Sequence, residues 1–169
     1  MNLETWLLLG IVGIVQAIAL RVDEISKILK KNKDKKNWIK KVMNILDFVM
    51  VGSNDYKKSS EFYDAVLEPL KLKKSVTTEK YIGYANPSEP DKALFYVTTP
   101  VNGEPATFGN GTQITLLAET KEAVEKFYEI AISKGATDEG GPGVRSDGKY
   151  YAYVRDLDGN KIAAKSDLK

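Results

Sequence analysis

The 169-residue sequence contains no cysteine and no histidine. Without cysteine, a disulfide framework and thiolate chemistry are excluded. Without histidine, the chain lacks the commonest metal ligand and the side chain that most often transfers protons at neutral pH. Carboxylates, tyrosines and lysines remain for acid–base chemistry, and no two of them stand at a spacing that indicates catalysis. Phosphate-binding loops and dinucleotide-binding glycine motifs are also absent from the sequence.

The formal net charge is only +2, but the charges are unevenly placed. Residues 21–41 carry nine Lys and Arg against three acidic residues, whereas residues 1–20 carry only Glu4. A basic stretch interleaved with aromatic residues suits nucleic acid, but Trp38 is the only aromatic residue in this one. We therefore predict no nucleic-acid partner and interpret residues 32–44 as a basic linker.

A long apolar run precedes the basic stretch. Residues 6–20, WLLLGIVGIVQAIAL, include one polar residue, Gln16, and we predict that residues 3–20 cross a membrane as a helix. Because the lysines follow the run, the positive-inside rule predicts a single-pass protein with a cytoplasmic C-terminal part. The alternatives are a cleaved signal peptide, which the absence of a basic N-terminus disfavours, and a soluble cytoplasmic protein whose helix docks on its own domain.

The same segment carries a heptad pattern. Apolar residues alternate three and four positions apart at Leu8, Ile11, Val15, Ile18, Val22, Ile25 and Leu29. This alternation is typical of helices that associate along one side, and it continues into sequence that is already charged. We therefore predict one helix over residues 1–31 that pairs with a second copy, giving a homodimer.

From residue 45 onward, the sequence alternates between strand and helix patterns. The first unit has a strand, a helix that ends near Pro69, and three further strands; they lie at residues 45–52, 56–70, 72–79, 80–85 and 92–99. After a Gly/Pro/Asn-rich connection, the second unit has a strand at 112–119, a helix between Thr120 and Gly135, a glycine-rich loop, and two strands joined by the turn DLDG. We interpret the order as β-α-β-β-β twice, an α+β fold with one curved sheet and helices outside it.

Four segments of this part resemble the vicinal oxygen chelate superfamily, which includes glyoxalase I, bleomycin-resistance proteins, fosfomycin-resistance enzymes and extradiol dioxygenases. They are LDFVMVGSND with SSEFYDAVLEPL, then PVNGEPATFGNGTQITLLAET, VEKFYEIAISKGATDEGGPGVR and YYAYVRDLDGNKIAA. The D-x-D-G-N turn and the helix ending FYxxVL are the most specific parts. The resemblance implies a glyoxalase-like domain over residues 45–169, and dimers, since many members build their sites between two chains.

The resemblance also implies where a metal would bind. Enzymes of the superfamily hold a divalent metal on the concave face of the sheet, and their ligand positions fall on Phe48, Gln113 and Ala163. Phenylalanine and alanine have no metal-binding atom, and a glutamine amide is a weak neutral donor. We therefore predict no metal and no cofactor at the inherited site.

In place of a metal site, we predict a surface that binds a small organic ligand, because aromatic linings with a few polar groups suit such molecules. Strand alternation places Met50, Gln113 and Thr115 on the same face as Phe48 and Ala163. Either Phe95 or Tyr96, of which we select Tyr96, and the strand with Tyr151 and Tyr153 are expected nearby. Arg145 is expected to meet an anionic group, with an ordinary surface arginine as the alternative, and Phe48 alternatively fills the sheet core. The predicted function is sequestration or sensing of the ligand. A lyase or isomerase with a rebuilt site, and a structural docking module, are the alternatives.

Overall fold

The computed structural model describes residues 21–34 and 46–167. The chain divides into two compact units, Met1–Leu46 and Asp47–Lys169. The second unit contains all the strands of the described residues. The finer division that the sequence predicts, with a helix to residue 31 and a linker to residue 44, stays a prediction.

In the first unit, residues 21–34 form a helix, α1. Its three heptad positions, Val22, Ile25 and Leu29, are all more than half exposed. The earlier heptad positions and the predicted span, residues 3–20, lie outside the described residues. Within the described parts of the chain, no helix is both long and apolar enough to cross a membrane. The membrane span and the homodimer stay predictions.

The second unit contains two modules of the same order. The first comprises β1 (Val49–Gly52), α2 (Tyr56–Val66), a 3-10 turn (Glu68–Leu70), β2 (Lys73–Thr77), β3 (Tyr81–Ala85) and β4 (Ala93–Thr98). The second comprises β5 (Ile114–Leu117), α3 (Lys121–Ser133), β6 (Thr137–Val144), β7 (Tyr150–Arg155) and β8 (Lys161–Ser166). The predicted β-α-β-β-β order is confirmed in both modules, although the segment that forms β6 in the second module was itself predicted as a loop.

Each module forms its own four-stranded mixed sheet, in the order β1-β4-β3-β2 and β5-β8-β7-β6. The pairs β1–β4 and β5–β8 are parallel, and the other pairs are antiparallel. The sequence predicts one curved sheet; the backbone hydrogen bonds of the described strands define two sheets.

The helix boundaries follow local chemistry. Asp55 caps α2 by accepting a hydrogen bond from the Lys58 amide, and Thr120 caps α3 by accepting one from the Ala123 amide. Pro69 lies in the 3-10 turn that follows α2, as predicted for a residue that cannot continue the helix. Gly135 follows α3 with a φ of +97°, a conformation that glycine adopts without strain.

The glycine-rich segment before β7 is a strand, so its prediction as a loop was wrong. Residues Thr137–Val144 pair with β7, with register shifts on both sides of Gly140. Gly140 and Gly143 lie opposite Tyr153 and Tyr151 on β7. Glycine in a strand commonly marks a bulge or a close approach by another group, and both occur here.

The hydrophobic core lies between the sheets and the helices of both modules. The helix-facing residues of the strands are buried against apolar residues of α2 and α3. The strands contribute Val51, Phe95, Val97, Val154 and Ile162, and the helices contribute Phe62, Val66, Val124 and Phe127. Consequently, the opposite face of each sheet carries neither α2 nor α3, the two helices of residues 47–167. We call these two faces the open faces.

A buried polar cluster joins the two modules. The Tyr63 hydroxyl on α2 donates to Asp156 Oδ2 in the β7–β8 turn at 2.5 Å. Asp156 also accepts from the Asn160 side chain at 2.9 Å and from the backbone amides of Asp158 and Asn160. Burial raises the pKa of the Asp156 carboxyl, while these hydrogen bonds act to lower it. The turn predicted from DLDG thus also connects the modules.

Replacing Tyr63 by phenylalanine is expected to lower the free energy of unfolding by about 2 kcal/mol, because it removes a buried hydrogen bond to a charged group. Equilibrium denaturation of the full chain measures the change. Tyr81→Phe is the matched control, since Tyr81 is partly exposed, and we expect it to change stability by less than about 0.5 kcal/mol. Equal effects of the two variants would show that the Tyr63–Asp156 contact does not stabilise the fold.

Candidate functional site

The pairing of the strands places equivalent residues in one row across each open face. In the first sheet, the row is Met50, Tyr96, Gly83 and Val76. In the second sheet, the row is Thr115, Ala163, Tyr153 and Gly140. Tyr96 in the first module therefore corresponds to Ala163 in the second, and Met50 corresponds to Thr115. By the same correspondence, Phe48 matches Gln113, since each lies two residues earlier.

The open face of the first sheet is an exposed aromatic surface. Phe48 and Met50 are 48% and 47% exposed. The Phe48 and Tyr96 rings meet edge to face with centroids 5.1 Å apart, and Tyr81 meets Tyr96 in the same way at 5.8 Å. The alternative that Phe48 fills the core is therefore wrong. Exposed clusters of large apolar side chains are characteristic of binding surfaces.

Gly83 fixes the position of the Tyr96 ring. A Cβ at this glycine would lie 2.8 Å from a ring carbon of Tyr96 and 2.6 Å from a methyl group of Val76. Real Cβ contacts are almost never that short. The aromatic ring lies over β3 because residue 83 has no side chain.

The open face of the second sheet is polar. Gln113 donates from its amide to the Thr115 hydroxyl at 3.0 Å. The Tyr151 and Tyr153 rings are stacked, with centroids 5.6 Å apart and planes 5° from parallel. The Arg145 guanidinium lies 5.3 Å from the centre of the Tyr153 ring. The structure thus brings five predicted site residues into one open depression.

Most charged groups of this second face are held in ion pairs. Glu139 accepts from Arg155 at 2.6 Å and lies 3.0 Å from the Lys161 ammonium. Hydrogen bonds from Arg155 and Lys161 lower the pKa of Glu139. Asp167 is paired with Lys149 and Lys165, whose hydrogen bonds lower its pKa likewise.

The residues at the inherited ligand positions do not fit a metal ion. Phe48 has no donor atom, and Ala163 is fully buried beside Thr115 and Tyr153. The Gln113 amide is engaged with Thr115. Across residues 21–34 and 46–167, no group of three or more His, Cys, Asp or Glu side chains is placed to hold a metal.

The two open faces adjoin at β1, β5 and β8. Met50 from the aromatic face and Lys161 from the polar face line one small pocket of about 60 Å³, together with Phe108, Ile114 and Asn160. That volume is too small for an organic ligand, which needs about 300 Å³ or more. The pocket shows instead that Met50 and Lys161, one from each face, lie close enough to line a common surface.

Three residues of this site were not predicted from the sequence. The Lys161 ammonium lies 5.4 Å from the centre of the Tyr153 ring. Lys161 is two residues before Ala163 on β8, so alternation assigns its side chain to the open face. Asp147 accepts a hydrogen bond from the Tyr151 hydroxyl at 2.8 Å. Gly83 acts by having no side chain. Alternation along β8 was a usable signal for Lys161, whereas the other two depend on contacts between strands.

A model of the Glyoxalase/Bleomycin resistance protein/Dioxygenase superfamily matches residues 45–164. The chain therefore belongs to this superfamily, and the resemblance seen in the sequence is confirmed. No curated protein matches the chain.

Solved structures agree with the assignment. A glyoxalase/bleomycin resistance protein from Albidiferax ferrireducens T118 is 41% identical, with a TM-score of 0.66, and the match covers 72% of this chain and 98% of that one. A glyoxalase/bleomycin resistance protein/dioxygenase family enzyme from Burkholderia phytofirmans PsJN is 21% identical, with a TM-score of 0.56 and coverage of 73% and 98%. A lactoylglutathione lyase from Agrobacterium tumefaciens is 16% identical, with a TM-score of 0.50 and coverage of 70% and 90%. The last two show a shared fold.

Proposed function

We propose that this protein binds a small organic molecule across its two open faces, without a metal ion, to sequester or sense it. The observation that carries the proposal is Phe48. It occupies a position where the superfamily's enzymes hold a metal ligand, yet its ring is half exposed beside Tyr96. An exposed aromatic pair beside a polar face suits an organic ligand with an apolar body and a polar group.

The lowered pKa values of the carboxyl groups on the second open face favour binding over acid–base catalysis. A general base works best when its pKa lies near the working pH. On the second open face, hydrogen bonds lower the pKa values of Glu139, Asp147 and Asp167 from their ordinary values. Such carboxylates are weak bases, and their lone pairs are engaged by neighbouring cations and hydroxyls.

The test is a thermal-shift screen of the purified full chain against metabolites and antibiotics in the presence of a chelator. A ligand at 100 times its Kd should add about 2.7 kcal/mol to the stability. Phe48→Ala should weaken binding of the best ligand about tenfold, which corresponds to about 1.4 kcal/mol for a lost aromatic contact.

Ile132→Ala is the matched control, because Ile132 is a partly exposed apolar residue on α3, on the other side of the sheet. It should leave the affinity unchanged. Equal losses in the two variants, or a ligand that protects only in the presence of added metal, would contradict the proposed site.

A further inference from the structure

The cation Arg145 differs from its neighbours on the second open face. The other four cations there each contact a carboxylate: Lys149 and Lys165 pair with Asp167, and Arg155 and Lys161 pair with Glu139. Within the described part of the chain, no carboxylate lies within salt-bridge distance of Arg145. This guanidinium is half-buried at the edge of an open depression of about 430 Å³.

Arg145 is nevertheless fixed in place. Its Nη2 donates to the Gly141 carbonyl at 2.7 Å, and its guanidinium lies 5.3 Å from the centre of the Tyr153 ring. The glycines of β6 make this placement possible. A Cβ at Gly143 would lie 2.8 Å from Arg145 Nη1, and one at Gly140 would lie 3.4 Å from Nη2. The strand is shaped to hold the guanidinium over the ring.

Asp147, the acidic residue that lines the depression, already has two hydrogen-bond donors. Its Oδ1 accepts from the Lys149 amide at 3.1 Å, and its Oδ2 accepts from the Tyr151 hydroxyl at 2.8 Å. Asp147 therefore orients Tyr151, and it forms no ion pair with Arg145. Its negative charge also makes the depression a poor place for a doubly charged group such as phosphate.

We propose that the ligand is an organic monocarboxylate whose carboxylate pairs with the Arg145 guanidinium. The inference rests on the proposed function and specifies the ligand class. A guanidinium offers a planar fork of donors that matches a carboxylate, and Gln113 and Thr115 line the same depression with further polar groups. The apolar body of the ligand lies along the Tyr151 and Tyr153 rings, towards Phe48 and Tyr96.

Calorimetric titration of the full chain with matched probes tests the inference. The probes are phenylacetate, 3-phenylpropanoate and indole-3-acetate, each beside its primary amide, and phenyl phosphate. We expect the acids to bind at least about tenfold more tightly than their amides and more tightly than phenyl phosphate. Arg145→Gln should abolish the preference for the acids.

A variant of β6 separates the position of the guanidinium from its charge. Gly143 does not have a positive φ, so its backbone tolerates alanine. Gly143→Ala should displace the guanidinium and weaken binding of the acids at least threefold. Val144→Ala, at the next residue of β6, is the control and should bind like the wild type, because Val144 is largely exposed and does not line the depression.

The outcomes distinguish this inference from the proposed function. Equal affinity for acids and amides, tighter binding of phenyl phosphate, or an acid preference that survives Arg145→Gln would overturn the inference and leave ligand binding intact. Binding of none of the probes by a folded chain would count against both. Circular dichroism melts of each variant confirm that the protein being titrated is folded.

Discussion

Replacing Asp156 by alanine is expected to lower the free energy of unfolding by about 3–4 kcal/mol. The carboxylate accepts four hydrogen bonds, two of them from side chains, and its loss leaves the buried Tyr63 hydroxyl without this acceptor. Leaving a buried donor unsatisfied costs about 1–3 kcal/mol in addition to the lost charge-assisted bonds. Denaturant titration of the full chain, followed by circular dichroism, measures the difference.

Asp47→Ala is the matched control for this substitution. It makes the same chemical change at an exposed residue just before β1, so we expect an effect of less than about 0.5 kcal/mol. A double variant with Tyr63→Phe should be destabilised by less than the sum of the two single variants, because both remove the same contact. Additive losses would show that Asp156 acts through the turn alone and does not join the modules.

The second large effect is a gain of metal binding. The triple variant Phe48→His, Gln113→His and Ala163→Glu should take up about one equivalent of a divalent transition metal per chain, because three ligands of this type suffice for a metal site. The open faces adjoin at β1, β5 and β8. Residue 163 pairs with Thr115, whose hydroxyl accepts a hydrogen bond from the Gln113 amide, so positions 113 and 163 lie close together. Elemental analysis after dialysis against zinc or nickel gives the metal content.

The metal-free triple variant should be less stable than the wild type by about 1–3 kcal/mol, because Ala163 is fully buried and a larger side chain must displace Tyr153. Added metal should restore that stability. The double variant Phe48→His and Gln113→His serves as the control and should bind metal much more weakly. A folded triple variant that takes up no metal would show that these positions do not converge.

The fold was predictable from the sequence because hydrophobic alternation, capping residues and the D-x-D-G-N turn all indicated the same order. The exception was β6. Its composition, TDEGGPGV, has neither the β-branched residues nor the alternation of a strand. It pairs because Tyr151 and Tyr153 on β7 lie opposite its glycines, and that cross-strand contact cannot be seen from β6 alone.

The candidate site was predictable only in part, because it too depends on contacts between strands. Alternation assigned Met50, Gln113 and Thr115 to one side of their strands, whereas the choice between Phe95 and Tyr96 depends on the register of β4 with β1. The environment of Arg145 depends on a hydrogen bond to the Gly141 carbonyl and on the ring of Tyr153 on the neighbouring strand, β7. Such contacts follow from tertiary structure, which sequence periodicity does not specify.

The central claim is that this protein binds an organic ligand on its open faces without a metal ion. The most direct measurement is calorimetric titration of the best ligand from the thermal screen into the full chain, first after exhaustive chelation and then with zinc, nickel, iron or manganese restored. Elemental analysis of the same samples gives the metal content. For a metal-free binding site, we expect the same Kd in every sample and far less than one metal ion per chain before addition. An affinity that disappears on chelation and returns with stoichiometric metal would contradict it.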